Sequence, residues 1–283
     1  MTGKTRIMVT GAAGQLGSAV VARLSATCDV FAFTRAALDL ADAPAVLAAM
    51  TTCSPSFVIN CAAYNDVEAA EDAAAAALSG NALAVQVLAR AAAATGATLI
   101  HYGTDFVFDG TADRPYLETD ACRPLSTYGM SKLLGEWFAL EAPGAYVLRV
   151  ESLFGGSPAK SSIDKIIAAI RAGQPVRVFA DRTVTPSFVD DVASATEQII
   201  HPAGVRAAPG VYHCVNSGAT TWLGIAEEIA RRLRRDAELI PVKSTEVKLK
   251  AKRPVYCALS NAKLTDAGIP MPSWQEALER YIG

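Results

Sequence analysis

The chain has 283 residues, 51% hydrophobic and 19% charged, so it can bury an ample core and is far from the composition of a disordered segment. A net charge of −2 and a pI near 6.0 argue against nucleic acid or an acidic membrane surface as the main partner. Six scattered cysteines (Cys28, Cys53, Cys61, Cys122, Cys214, Cys257) have no C-x-x-C pair and no histidine cluster, and no apolar run is long enough to span a bilayer; the expectation is reduced thiols, no metal site, no membrane and a cytoplasmic location.

The first element is a short apolar strand, Ile7 to Thr10, opened by Arg6. It runs into Gly11-Ala12-Ala13-Gly14-Gln15-Leu16-Gly17, and a helical pattern follows at Leu16, Val20, Val21 and Leu24. Gly11 suits the tight turn, Gly14 lets backbone approach a pyrophosphate, and Gly17 lets helix and strand pack closely. The free N–H groups and positive end of the new helix would hold the phosphates. A strand at Val30–Phe33, a helix at about Pro44–Thr51 and a buried strand at Phe57–Asn60 come next. An alanine-rich helical region covers roughly Ala69 to Ala94 and ends at Gly96; then come a strand at Thr98–Tyr102, a helix from the Tyr128 region through Leu140, and a strand at Tyr146–Arg149. Such alternation needs crossover helices and gives a parallel sheet covered on both faces. The predicted fold class is α/β, a Rossmann-type doubly wound parallel sheet with a smaller C-terminal substrate lobe.

Beyond Arg149 the rhythm loosens. Gly155-Gly156-Ser157-Pro158 is a turn-rich break, Ser161 to Ala172 a helix, Pro186 to Ile200 a return to the sheet with a helix beginning near Val189, and Gly210–Cys214 a further strand. Thr220 to Gly283 holds two amphipathic helices around a Lys/Arg/Pro-rich segment. The expected division is a dinucleotide-binding domain over 1–154, completed by about 184–216, with about 155–183 and 217–283 forming the lobe.

Tyr128 and Lys132 are four apart in a helical pattern and lie on one face. A tyrosine titrates near pH ~10, and a nearby ammonium would favour the phenolate and bring the phenol into a useful range. The same lysine can bond the ribose of a nicotinamide cofactor. Thr104 follows a strand, at the sheet edge where ligands bind, and its hydroxyl can polarise a substrate carbonyl. The set suits reduction of a ketone, with cofactor hydride, a proton from Tyr128 and Thr104 on the oxygen.

These residues resemble the extended branch of the short-chain dehydrogenase/reductase superfamily. Asn60-Cys61-Ala62-Ala63-Tyr64 with Val67-Glu68-Ala69-Ala70-Glu71, His101 to Gly110, Gly210 to His213, Ser217 to Trp222, Lys252-Arg253-Pro254 and Met271 to Gln275 are similar, in the same order, to the dTDP-4-dehydrorhamnose reductase family. The resemblance implies NAD(P)H-dependent reduction of the 4-keto group of a nucleotide-linked 6-deoxysugar, dTDP-4-dehydro-L-rhamnose to dTDP-L-rhamnose or a closely related dTDP-deoxysugar. It makes Thr104, Tyr128 and Lys132 the catalytic set. Gly11, Gly14, Gln15, Leu16 and Gly17 become the pyrophosphate turn, Asp39 and Leu40 the adenine contact, Ala62, Ala63 and Tyr64 a cofactor-facing loop, and Asp105 a sugar contact. Two departures bear on substrate: Phe106 stands where the family usually has Tyr, and Ser152 where it often places Trp against the sugar, which opens space.

The second strand ends Phe33-Thr34-Arg35 with no acid for a ribose 2′-OH, so NADPH is the expected cofactor, with NADH open; Arg35 meets the 2′-phosphate or is a solvated loop arginine. Among Lys248, Lys250, Lys252 and Arg253, Arg253 is the candidate for the sugar-nucleotide diphosphate and the lysines read as a solvated loop. Trp222 and Trp274 read as packing, and His101, His201 and His213 receive no chemistry. Glu71 is a candidate for holding a loop or, as carboxylates do in some relatives, a Mg2+ ion. A homodimer is left open. Two rival readings remain: a sugar-nucleotide epimerase or dehydratase of the same branch, which recycles its cofactor, and a non-catalytic NADP-binding regulatory subunit like methionine adenosyltransferase beta.

Overall fold

The computed structural model describes residues 4–283. Its first half alternates strand and helix: β1 (Arg6–Thr10), α1 (Gln15–Leu24), β2 (Asp29–Phe33), α2 (Ala43–Cys53), β3 (Phe57–Asn60), α3 (Val67–Ala70), α4 (Ala74–Leu78), a π-helical turn (Ser79–Leu83), α5 (Ala84–Thr95), β4 (Thr98–Thr104), α6 (Thr127–Leu140) and β5 (Tyr146–Val150). The second half is shorter-stepped: β6 (Leu153–Phe154), α7 (Ser162–Arg171), β7 (Val176–Phe179), β8 (Thr183–Val184), β9 (Ser187–Phe188), α8 (Val189–Ile200), β10 (Gly210–His213), β11 (Thr220–Thr221), α9 (Trp222–Leu233), β12 (Leu239–Val242), α10 (Ala262–Asp266) and α11 (Trp274–Ile282).

Six strands make one parallel sheet in the order β10-β5-β4-β3-β1-β2. The chain starts inside the sheet at β1, steps to the edge at β2, then crosses back to β3. Strand order therefore reverses between β1 and β3, and their carboxyl ends border a crevice. Alternate residues of β1 show why both faces are covered. Ile7 and Val9 pack with Val20 and Leu24 of α1 and Val189 and Val192 of α8, whereas Met8 packs with Val46 and Met50 of α2 and Val85 and Leu88 of α5. This is the Rossmann-type doubly wound sheet.

The alanine-rich region is not one helix. Asp66 caps α3 by accepting the Ala69 N–H, the chain turns at Asp72 and Ala73, and α4 runs through the π-helical turn into α5. The wider turn brings Asn81 fully into the interior, where a continuous helical reading gives it no role.

Past β5 the chain leaves the sheet through β6 and returns through β9. These two strands pair in parallel, Leu153 opposite Ser187 and Phe154 opposite Phe188, and the two phenylalanine rings stack at 5.4 Å. The expected helices over 161–172 and from Val189 are α7 and α8. The basic segment between the two amphipathic helices, α9 and α11, adds structure that its composition does not announce: β12, which pairs in parallel with β7, and the short α10.

Candidate active site

The turn after β1 touches the turn after β3. Gly11 has φ +69°, and a Cβ there would lie 2.5 Å from the Ala62 backbone nitrogen. A Cβ on Gly17 would lie 2.2 Å from the Gly11 carbonyl oxygen, so α1 meets the turn too closely for any side chain. Gly14 starts α1 without a side-chain cap, and the first turn carries no acid. The helix thus offers bare N–H groups and its positive dipole end to a cleft of about 340 Å3, lined by Gly14, Gln15, Leu16 and Gly17. A dinucleotide pyrophosphate fits this cradle. The Gln15 amide donates to the Gly155 carbonyl at 2.7 Å and ties the cradle to the loop after β6.

Strand register builds the floor of the cleft. Thr10, Asn60 and His101 are neighbours across β1, β3 and β4, all almost fully buried. Asn60 Oδ1 accepts from the Thr10 hydroxyl at 2.8 Å and the Ala62 N–H at 3.1 Å, leaving its amide to donate to His101 Nδ1 at 3.0 Å. His101 Nε2 lies 3.5 Å from Lys132 Nζ. Burial first, and the Lys132 charge second, hold His101 well below the usual imidazole range, so it stays neutral. Lys132 Nζ donates to the Tyr102 carbonyl at 2.6 Å. Burial pulls Lys132 down to about 8, against the Glu136 carboxylate, which raises it.

Tyr128, Thr104 and Lys132 all line the cleft, as do Asp105 and Phe106. Thr104 Oγ1 donates to Asp105 Oδ1 at 3.0 Å, and the Phe106 ring meets Tyr128 edge-on at 5.5 Å. Burial pushes the Tyr128 phenol up, the Asp105 charge adds to that, and the Thr104 hydroxyl opposes it. In the free protein the phenol therefore keeps its proton, the form in which it can give one. Burial also raises Asp105, to about 6.

The helix that carries Tyr128 and Lys132 is held at three places. The Ser126 hydroxyl caps it by accepting the Gly129 N–H, and Glu71 accepts from the Thr127 N–H at 2.8 Å and its hydroxyl at 3.2 Å. One turn after Lys132, Glu136 takes three hydrogen bonds of 2.8–3.1 Å from the Arg149 guanidinium of β5, with 1% and 5% of the two side chains exposed. Asn81 of the π-helical turn accepts the Tyr64 N–H at 2.7 Å and donates to the Tyr64 carbonyl and to Ser131 of α6. A single amide thus fixes the loop after β3 against the catalytic helix. The sequence reading gives no role to Asn60, Asn81, His101, Glu136 or Arg149; their signal is a polar side chain inside an otherwise apolar strand or helix face.

Ala62, Ala63 and Ser152 line the cleft, and Ser152 sits at φ +43° where most side chains are strained. Tyr64 packs with Tyr128 and Phe106 in a small apolar cluster. Arg35 is exposed two residues beyond β2, Asp39 bonds the Ala41 N–H at 3.0 Å, and Leu40 packs against the α2 side of the core; these three lie outside the cleft lining. Arg253 lies outside it too, its guanidinium on Glu68 of α3 at 2.7 Å. Glu71 serves Thr127 and supports no Mg2+ site. Among the described residues, three metal-type ligands converge only at Asp105, Glu151 and Cys257, within 4.8 Å of one another. Burial raises both acids, and the charge of the Arg182 guanidinium opposes that rise. No helix among the described residues is long and apolar enough to cross a membrane.

Residues 5–283 match the model of the family described as RmlD substrate binding domain. The chain is 38% identical to a dTDP-4-dehydrorhamnose reductase of Mycobacterium tuberculosis, over 98% of this chain and 93% of that one. A crystal structure of dTDP-4-dehydrorhamnose reductase from Bacillus anthracis in complex with NADP superposes with a TM-score of 0.93 at 30% identity, covering 99% of both chains. A UDP-glucose 4-epimerase of Thermus thermophilus in complex with NAD gives a TM-score of 0.81 at 22% identity over 98% of each chain, a likeness of fold alone.

Proposed function

The chain belongs to the RmlD substrate binding domain family, and from that premise we propose that it reduces the 4-keto group of a dTDP-linked 6-deoxysugar, dTDP-4-dehydro-L-rhamnose in the first instance, using NADPH. The observation that carries this reading is the convergence of Thr104, Tyr128 and Lys132 in one cleft with the bare N-terminus of α1. A nicotinamide cofactor held by the Gly11–Gly17 turn and the bare N-terminus of α1 would supply the hydride for the carbonyl carbon. Tyr128 holds a proton at neutral pH and delivers it to the carbonyl oxygen as that oxygen gains charge, completing the alcohol. Lys132, anchored on the Tyr102 carbonyl, brings positive charge to the phenolate that is left. Thr104 orients the oxygen, and its own hydroxyl is held by Asp105.

NADPH is favoured over NADH because β2 ends without a carboxylate and Arg35 stands exposed just beyond it. We assign the sugar-nucleotide end of the site to residues of about 155–183 and 217–283, place the enzyme in the cytoplasm, and regard a homodimer as a matter for light scattering. The test is NADPH oxidation at 340 nm with enzymatically generated dTDP-4-keto-L-rhamnose, beside NADH and a no-sugar control. Stoichiometric oxidation yielding dTDP-rhamnose supports the reading. Conversion of the sugar without net oxidation would point to an epimerase or dehydratase, and binding of NADPH without turnover of any keto sugar to a regulatory subunit. Higher efficiency with NADH would overturn the cofactor choice.

A further inference from the structure

Glu151 is a buried acid of this cleft that the reaction leaves unused. It lines the cleft between Val150 and Ser152, is 2% exposed, and its Oε2 accepts the Thr185 N–H at 2.8 Å. Its other oxygen, Oε1, is buried without any hydrogen-bond partner. A buried carboxyl oxygen left unmet costs free energy that a serine or an apolar residue at 151 would not incur. The position is also crowded with its own charge type, since an Asp105 oxygen lies within 4.8 Å. Burial and the Asp105 charge raise Glu151 well above the usual carboxyl range, so the group can both offer a proton and accept one.

Thr104 and Tyr128 mark where the reacting carbonyl sits, and Asp105 takes the Thr104 hydroxyl. Glu151 shares the cleft wall with Asp105, which follows Thr104 directly in the chain. Of the two ring carbons beside C4 in a 6-deoxyhexose, C5 bears a methyl group and C3 bears a hydroxyl. The neighbouring Ser152 is small and leaves room for that approach.

We infer that Glu151 is a specificity-determining residue, whose free Oε1 pairs with a hydrogen-bonding substituent on C3 of the sugar, so that the site selects 4-keto sugars carrying a C3 hydroxyl over their 3-deoxy counterparts. The inference rests on the reductase reading. A site built to bond a hydroxyl rejects the analogue lacking it because its own polar group is then left unmet.

The experiment measures kcat/KM of the wild type and of Glu151→Leu on a dTDP-4-keto-6-deoxysugar and its 3-deoxy analogue, with NADPH affinity and Tm of both proteins. The wild type should prefer the hydroxylated sugar by about ten- to a hundredfold. In Glu151→Leu the preference should fall to within about threefold of unity through loss on the hydroxylated sugar, with NADPH affinity unchanged. Equal efficiency of the wild type on the two sugars overturns the inference without recourse to any variant. So does an undiminished preference in Glu151→Leu. Failure of the wild type to reduce either sugar while it binds NADPH overturns the reductase reading itself, a different result from reduction without discrimination.

Discussion

Replacing Glu136 by Gln should be among the costliest substitutions outside the reacting groups. The carboxylate receives Arg149 Nε on both oxygens at 3.1 Å and a terminal guanidinium nitrogen on Oε2 at 2.8 Å, with 1% of its side chain exposed. The guanidinium's other polar neighbours take over none of the charge: Cys122 Sγ, which accepts from it at 3.3 Å, is a thiol that burial raises, and His213 is held neutral by burial and by Arg149 itself, its pKa down at about 3. Glu136→Gln therefore strands a buried guanidinium, which costs about 3–5 kcal/mol, a large share of the roughly 5–15 kcal/mol that holds a domain folded. Urea denaturation followed by circular dichroism, with m-values compared, measures it. The double variant Glu136→Leu/Arg149→Met, which removes both charges, should recover most of the loss. A second effect follows along α6. Glu136 raises Lys132, which burial has drawn to about 8, so without it Lys132 loses its proton at lower pH. The basic limb of the kcat–pH profile should move down, leaving activity at pH 8 hurt more than at pH 6.5. A stability loss under about 1 kcal/mol, or an unmoved basic limb, would refute the account of this pair.

Tyr128→Phe should bind NADPH as the wild type does yet lose turnover by about a hundredfold or more, since the proton donor is gone and the cradle intact; near-normal kcat removes Tyr128 from that role. Gly17→Ala should cost about 1–3 kcal/mol of stability and weaken NADPH binding in a fluorescence titration, because its Cβ would meet the Gly11 carbonyl at 2.2 Å. Asp105 is raised from 3.8 to about 6 by burial, so the folded state binds more protons between those values and stability falls as pH rises through them. Asp105→Asn should match the wild type in stability near pH 4 and exceed it by up to about 3 kcal/mol above pH 6, while turnover falls; equal stability at pH 7 would show that the ionised acid is not penalised.

Much of the site was readable because it is built from local pattern. The glycine spacing, the Tyr128–Lys132 interval and the strand-end Thr104 each follow from a few neighbouring residues, and the parallel sheet follows from alternation. What escaped depends on partners far apart in the chain. Thr10, Asn60 and His101 meet only through the register of three strands, so His101 alone shows no ligand-like spacing and reads as inert. The run from Ala69 to Ala94 keeps apolar residues at helical intervals, which masks the break after α3 and the π-helical turn that directs Asn81 inward. Glu151 was legible only as a spacer before Ser152, because its burial depends on Thr185 and Asp105. The π-helical turn and β12 lacked any local signal, being set by tertiary packing.

The pairing of β6 with β9 has a mechanical consequence. Residues 155–186 leave and rejoin the sheet through two strands bonded side by side, the Ser187 N–H on the Ser152 carbonyl at 3.3 Å and Phe154 stacked on Phe188. Two ties this close behave as one stiff strut, since twisting either is resisted by the other. The strut is rooted at Ser152, next to Glu151, and no slack linker intervenes to absorb displacement. Movement of the excursion is therefore passed directly to Ser152 and Glu151 in the cleft wall.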